Sequence, residues 1–273
     1  MELRLGKRGF SDRFSLARSA YRWRDVEKAQ AAHSHEHLEQ SLHESGRGGE
    51  HLADAVLGAT DGIVTTFAVV AGAAGASLSP GIVLIMGFAN LLADGFSMAA
   101  GNYLGARSQQ DYWLEERKRE MWEIEYLPEA ERDEIRRLYR RKGFEGETLE
   151  RIVETITADK RRWVEEMMRE ELGIQEEKVA PLASGAVTFM AFVLAGLPPI
   201  LSYVAAFFMP SLSGSAFPLS FAITGVALFG VGVARRFMTR RPWWRSGLEV
   251  LGVGGLAAAC AFVVGYLLRG LVR

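Results

Sequence analysis

A stretch too densely charged to enter a bilayer, residues 106–178, separates two groups of segments apolar enough to cross one. It holds 21 of the chain's 33 acidic residues, set against 16 basic ones. A net charge of only −1 conceals this segregation. No single core can absorb both kinds of sequence, so the chain must fold against two solvents. The predicted fold is all-α: a polytopic membrane protein with five transmembrane helices and an inserted three-helix domain. Its divisions are an N-terminal extension over 1–50, helices one and two over 51–105, the insert over 106–178, and helices three to five over 179–273.

About 20 apolar residues cross a hydrocarbon core. The spans are read as Leu52–Ala76, Pro80–Leu104, Val179–Phe208, Phe217–Val233 and Leu248–Leu268. Pro80 suits a first helical turn. Pro198 and Pro199 should kink or interrupt the third span. The first two spans carry polar residues that must face a partner or a pathway rather than lipid. Their many glycines, from Gly58 to Gly105, allow close helix packing. Cys260 lies in an apolar run and reads as a buried small thiol, with no disulfide possible within the chain.

The turns Ser77–Pro80 and Met209–Phe217 carry no charge, whereas the link between spans four and five holds Arg235, Arg236, Arg240, Arg241 and Arg245. Positive residues favour the cytoplasmic side. The N-terminus, the insert and the arginine link are therefore expected in the cytoplasm, and the C-terminus outside. The first residues are charged throughout and do not read as a secretory signal.

Within the insert, one helix should continue from the second span to Tyr126. A second should run from Pro128 to Arg141, and a third from Glu147 to Leu172, closed by Gly173, with a break around Thr157–Asp159. Glu120 and Glu123 share a helix face, as do Glu131 and Glu134. Met167, Met168 and Glu171 bring thioether and carboxylate to one face. Such a mixed donor set suits ferrous iron better than magnesium or calcium, with manganese, cobalt and zinc also possible. Glutamates three apart are common on any charged helix, and a methionine pair serves equally well as core filler.

The intramembrane residues are more specific. Asp61 lies among Val56, Leu57, Ile63 and Phe67. An ionisable group at that depth is costly and faces a bundle interior or a pathway. Asn90, Asp94 and Met98 follow one another at single-turn spacing on the second span. They read as a polar seam along a pathway, or as interhelical hydrogen-bonding groups.

At these residues the chain resembles the vacuolar iron transporter family. The resemblance runs from His51 to the C-terminus. It rests on Asp61-Gly62-Ile63-Val64-Thr65-Thr66-Phe67, Ser97-Met98, Gly101-x-Tyr103-Leu104, Lys118-Arg119-Glu120 and Met167-Met168-Arg169-x-Glu171-Leu172-Gly173, in that order. It implies a homodimer with a cytoplasmic metal-binding domain whose ligands are Glu120, Glu123, Glu131, Glu134, Met167, Met168 and Glu171. It implies that Asp61 and Met98 bind metal in the membrane at the dimer interface. It also implies an antiporter that moves Fe(II), and sometimes Mn(II), Co(II), Ni(II) or Zn(II), out of the cytoplasm in exchange for protons. The plant-type pattern has a glutamate at Asn90. Here either Asp94 takes over, or coupling rests on Asp61 and the insert.

His33, His35, His37 and His43 in the extension form a possible accessory metal site. The arginines and aromatics before them read as an amphipathic helix on the membrane or as disorder. An iron-oxidising store would need Glu-x-x-His pairs on facing helices, and the insert has no histidine. Gly72-Ala73-Ala74-Gly75-Ala76 is a packing run, and no catalytic triad or nucleotide loop is present. The chain is therefore read as no enzyme, with no permanently bound cofactor and no nucleic-acid partner. A bacterial inner membrane is the expected location. The remaining alternatives are a manganese or broad divalent-metal exporter, and a membrane-anchored metal sensor or scaffold.

Overall fold

The structure is a computed structural model that describes residues 20–21, 23–32, 50–175, 180–235 and 242–272. The chain divides into residues 1–52 and 53–273. In the first unit a short helix, α1 (Val26–Ala32), is described. The four histidines of the extension, most of its arginine-aromatic segment and much of the link after Arg235 lie outside the described residues.

Among the described residues every regular element is helical. Helix α2 covers Glu50–Gly75 and α3 covers Pro80–Tyr126. The insert contributes α4 (Pro128–Arg141), α5 (Gly146–Thr157) and α6 (Lys160–Glu170). Then come α7 (Pro181–Gly196), α8 (Pro198–Phe208), α9 (Ala216–Ala234) and α10 (Trp243–Leu268). Four helices are long and apolar enough to cross a membrane, and α7 and α8, which meet at a bend of 50°, are long and apolar enough to do so only when taken together. The bend falls where Pro198 and Pro199 withdraw two backbone donors and crowd the preceding turn. At that bend the Ser220 hydroxyl donates to the Pro199 carbonyl at 2.6 Å.

Helix α2 is the centre of the membrane part. Ile63, Phe67 and Ala71 pack with Leu228, Val250 and Ala258. Its other face meets α7 so closely that a Cβ on Gly62 would lie 2.3 Å from the Phe192 carbonyl oxygen. Towards α10, a Cβ on Gly265 would lie 2.0 Å from the Gly72 carbonyl oxygen. Backbone stands against backbone at both places, so no side chain can yield. Gly62→Ala is expected to destabilise the fold by about 1–3 kcal/mol, read as a lower midpoint in thermal unfolding of the detergent-solubilised protein.

Helix α3 runs unbroken for 47 residues. At 1.5 Å per residue it is about 70 Å long, more than twice a hydrocarbon core. Its second half therefore lies among the insert helices. These gather around a core of Ile124, Ile135, Leu149, Val153, Ile156, Trp163, Val164, Met167 and Met168. Gly143 and Gly146, with φ of +92° and +57°, make the turn between α4 and α5. The third helical stretch expected of the insert is interrupted at Ala158–Asp159, within the break expected around Thr157–Asp159, so it forms α5 and α6. Asp159 caps α6 by accepting from the Arg162 backbone N–H at 2.9 Å. An N-cap residue leaves helical geometry, which starts a new helix there.

Cys260, expected as a buried small thiol, is instead exposed. Apolar neighbours along a membrane helix do not mark its inward face, because lipid accepts the same residues.

Candidate metal centre

Three helices of the insert bring five carboxylates together. Glu120 lies one turn before Ile124 on α3, Glu131 one turn before Ile135 on α4, and Glu171 one turn after Met167 at the end of α6. Since Ile124, Ile135 and Met167 are all core residues, helical spacing sets the three acids at one end of that core. Glu120 is fully buried and Glu131 is 5% exposed. Both oxygens of Glu120 and Oε2 of Glu131 are buried without a hydrogen-bond partner. Buried carboxylate oxygens without a hydrogen bond are expensive, and a native site that keeps them calls for a cation or a proton; beside Glu120 Oε1 the Arg119 guanidinium stands 2.9 Å away.

The electrostatics agree. Burial pushes Glu120 up from 4.5 to about 7, assisted by repulsion from Glu171, Glu123 and Glu134 and opposed by Arg119. Burial also pushes Glu131 up to about 7, with Glu120, Glu134, Glu123 and Glu171 adding to it. Glu171 is raised by burial first, then by repulsion from Glu134 and Glu123, with Arg119 opposing. The five acids predicted from sequence thus form one electrostatic group. They are not drawn onto a common point: among the described residues no three His, Cys, Asp or Glu side chains stand close enough to hold a metal ion.

Met167 and Met168 are 0% and 3% exposed and belong to the hydrophobic core. Core filling, one of the two readings open from sequence, describes their present contacts. Sequence reasoning missed two neighbours. Glu166 is buried, accepting from the Tyr139 hydroxyl at 2.5 Å and from Arg169 at 2.6 Å. Arg119 bridges Glu116, Glu120 and Glu123. Glu116 and Glu123, three before and four after Arg119, were its visible signal.

In the membrane part, Asp61 is half-buried on α2, and the Thr65 hydroxyl folds back to its carbonyl at 2.8 Å. Asp94 on α3 lies within Coulombic range of Asp61 and is exposed on the surface of the single chain. Met98 rests beside the Leu91, Phe192 and Ile200 cluster. The Asn90 side-chain nitrogen is buried without a hydrogen-bond partner, so it does not serve as an interhelical tie. That task falls to residues the sequence reading passed over. Asn102 donates to Asp54 at 3.1 Å and to Thr188 at 2.6 Å, and Ser184 donates to Asp54 at 2.7 Å. These bonds join α2, α3 and α7.

The VIT family profile matches residues 52–266, the span that holds both groups of residues. The chain belongs to the VIT family. It is 35% identical over 261 residues to the vacuolar iron transporter of Plasmodium berghei (strain Anka), covering 93% of this chain and 95% of that protein. It is 36% identical over 268 residues to the vacuolar iron transporter of Toxoplasma gondii (strain ATCC 50861 / VEG), covering 93% and 87%. With vacuolar iron transporter 1 of Arabidopsis thaliana it shares 35% identity over 215 residues, covering 78% and 84%. These VIT relatives are named as transporters, not enzymes, and the apolar helices of this VIT chain give it a multi-pass membrane architecture.

Proposed function

We propose that this chain moves ferrous iron out of the cytoplasm in exchange for protons, working as a homodimer. The observation that carries the reading is the pair Asp61 and Asp94, two carboxylates on apolar spans within reach of each other's charge. A carboxylate exposed on a membrane helix is too costly to face lipid. Asp94 therefore faces a second subunit or a water-filled path, which supports a pathway at a dimer interface holding Asp61, Asp94 and Met98. Carboxylate and thioether together suit a borderline divalent ion such as Fe(II), and Mn(II) is the second substrate that the same donors accommodate. Asn90 cannot exchange a proton, so Asp94 is the residue that supplements Asp61 in coupling.

The insert is the cytoplasmic metal-collecting domain, its candidate ligands being Glu120, Glu123, Glu131, Glu134, Glu171, Met167 and Met168. Arg235 and Arg245 flank the link that marks the cytoplasmic side. Ion binding would compete with protons for Glu120 and Glu131, both raised to about 7, so metal affinity falls on acidification. Proteoliposomes loaded with a metal-sensing dye test the function. Fe(II) flux is expected to rise with an opposing pH gradient and to be suppressed by excess Mn(II). Flux indifferent to the gradient would remove the antiport, and no flux of either metal would remove the reading.

A further inference from the structure

The acid group is folded around a cation of its own. Arg119 Nε lies 2.9 Å from Glu116 Oε2, Nη1 lies 2.9 Å from Glu123 Oε2, and Nη2 lies 2.9 Å from Glu120 Oε1. The first two contacts are hydrogen bonds; the third is an ion pair outside hydrogen-bond alignment, which leaves the Glu120 oxygens unsatisfied. Two of the three carboxylates, Glu120 and Glu123, belong to the proposed ligand set. A guanidinium stays charged at any physiological pH, so it cannot withdraw by losing a proton. It can withdraw only by moving, and the Arg119 side chain is 43% exposed, against 1% for that of Glu120. One partner therefore has an outward path and the other does not.

We propose that Arg119 is a built-in competitor for the metal. In the metal-free protein it holds Glu120 and Glu123; an arriving divalent ion displaces it towards solvent, and its return helps expel the ion. This rests on the reading of the acid group as a metal site. Arg119 is a positioning residue in this role, and its effect on affinity has the opposite sign from that of a ligand. It keeps binding weak and release fast, as collection and delivery require.

The test uses the purified full-length protein in detergent, with Mn(II) as the probe and free Mn(II) counted by electron paramagnetic resonance. Arg119→Gln is expected to bind Mn(II) about five- to tenfold more tightly, the scale of two partly exposed ion pairs removed from the competition. Release into excess chelator should slow by a similar factor in stopped flow. Glu131→Gln, which does not touch Arg119, should weaken binding. Arg119→Lys can satisfy one carboxylate at a time and should fall between wild type and Arg119→Gln. It decides the question alone if the glutamine variant does not fold. Arginine variants that bind no more tightly than wild type, while Glu131→Gln still weakens binding, overturn the competitor and leave the metal site standing. Wild-type binding that Glu131→Gln leaves unchanged overturns the metal site itself and the competitor with it.

Discussion

Replacing Asp61 with Asn is expected to abolish pH-driven Fe(II) flux in proteoliposomes while the protein still assembles and elutes as wild type does. The substitution keeps size and hydrogen-bonding capacity but removes the charge and the titrating proton. Few structural contacts depend on it. The Thr65 hydroxyl bonds to the Asp61 backbone carbonyl, not to its side chain. The packing neighbours Ile63 and Phe67 are untouched. A cation in a low-dielectric path loses several kcal/mol of solvation, and the carboxylate is what offsets that loss. A drop in flux of at least a hundredfold corresponds to about 3 kcal/mol lost along the path. Wild-type flux in Asp61→Asn would end the central role given to this residue.

The second large effect concerns Glu120 and Glu131 together. Both are held up from 4.5 to about 7 in the folded protein, by burial first and by neighbouring acids next. A carboxyl raised by folding contributes stability that is full below its unfolded value and is lost as pH rises through the folded one. The metal-free protein should therefore become less stable between about pH 4.5 and pH 8 through these two groups. Glu120→Gln with Glu131→Gln removes that loss. The double variant is expected to be about 2 kcal/mol more stable than wild type at pH 8 without metal, and unchanged at pH 4. With Mn(II) the order reverses. Wild type gains about 2.7 kcal/mol at a hundred times its Kd, and the variant gains little. In wild type, lowering the pH from 8 to 6 should weaken Mn(II) binding by about tenfold for each of the two acids. Thermal unfolding with and without Mn(II) at the three pH values checks all of this. A double variant less stable than wild type at pH 8 without metal would show that the Arg119–Glu120 ion pair outweighs the cost of burying the two charges.

Much of this fold was legible because its boundaries are written in backbone chemistry. Pro80, Pro128 and the Pro198-Pro199 pair start or bend helices where expected, and Gly143 and Gly173 end them with positive φ. The acid group was legible because pairs three apart share a face whatever the tertiary structure. What failed to show was whatever depends on which way a helix turns. Cys260 faces outward because an apolar span carries no mark of its buried side. Met167 and Met168 read as ligand or core with equal ease until α3, α4 and α5 closed around them. The bond from Ser184 to Asp54 joins residues 130 positions apart, and no local pattern announces it.

The unbroken course of α3 has a consequence for how the two sites can cooperate. Met98 and Glu120 stand on the same helix, 22 residues apart. At 1.5 Å per residue that is about 33 Å along its axis. No chain of direct ligand exchange bridges such a gap, so on the proposed reading an ion leaving the acids would travel hydrated before it reached Asp61 and Met98. The insert would then be a local reservoir that raises metal concentration at the mouth rather than a first step of the crossing. On that reading its acids would set how dilute a metal can still be used, and Asp61 would set how fast an ion gets through.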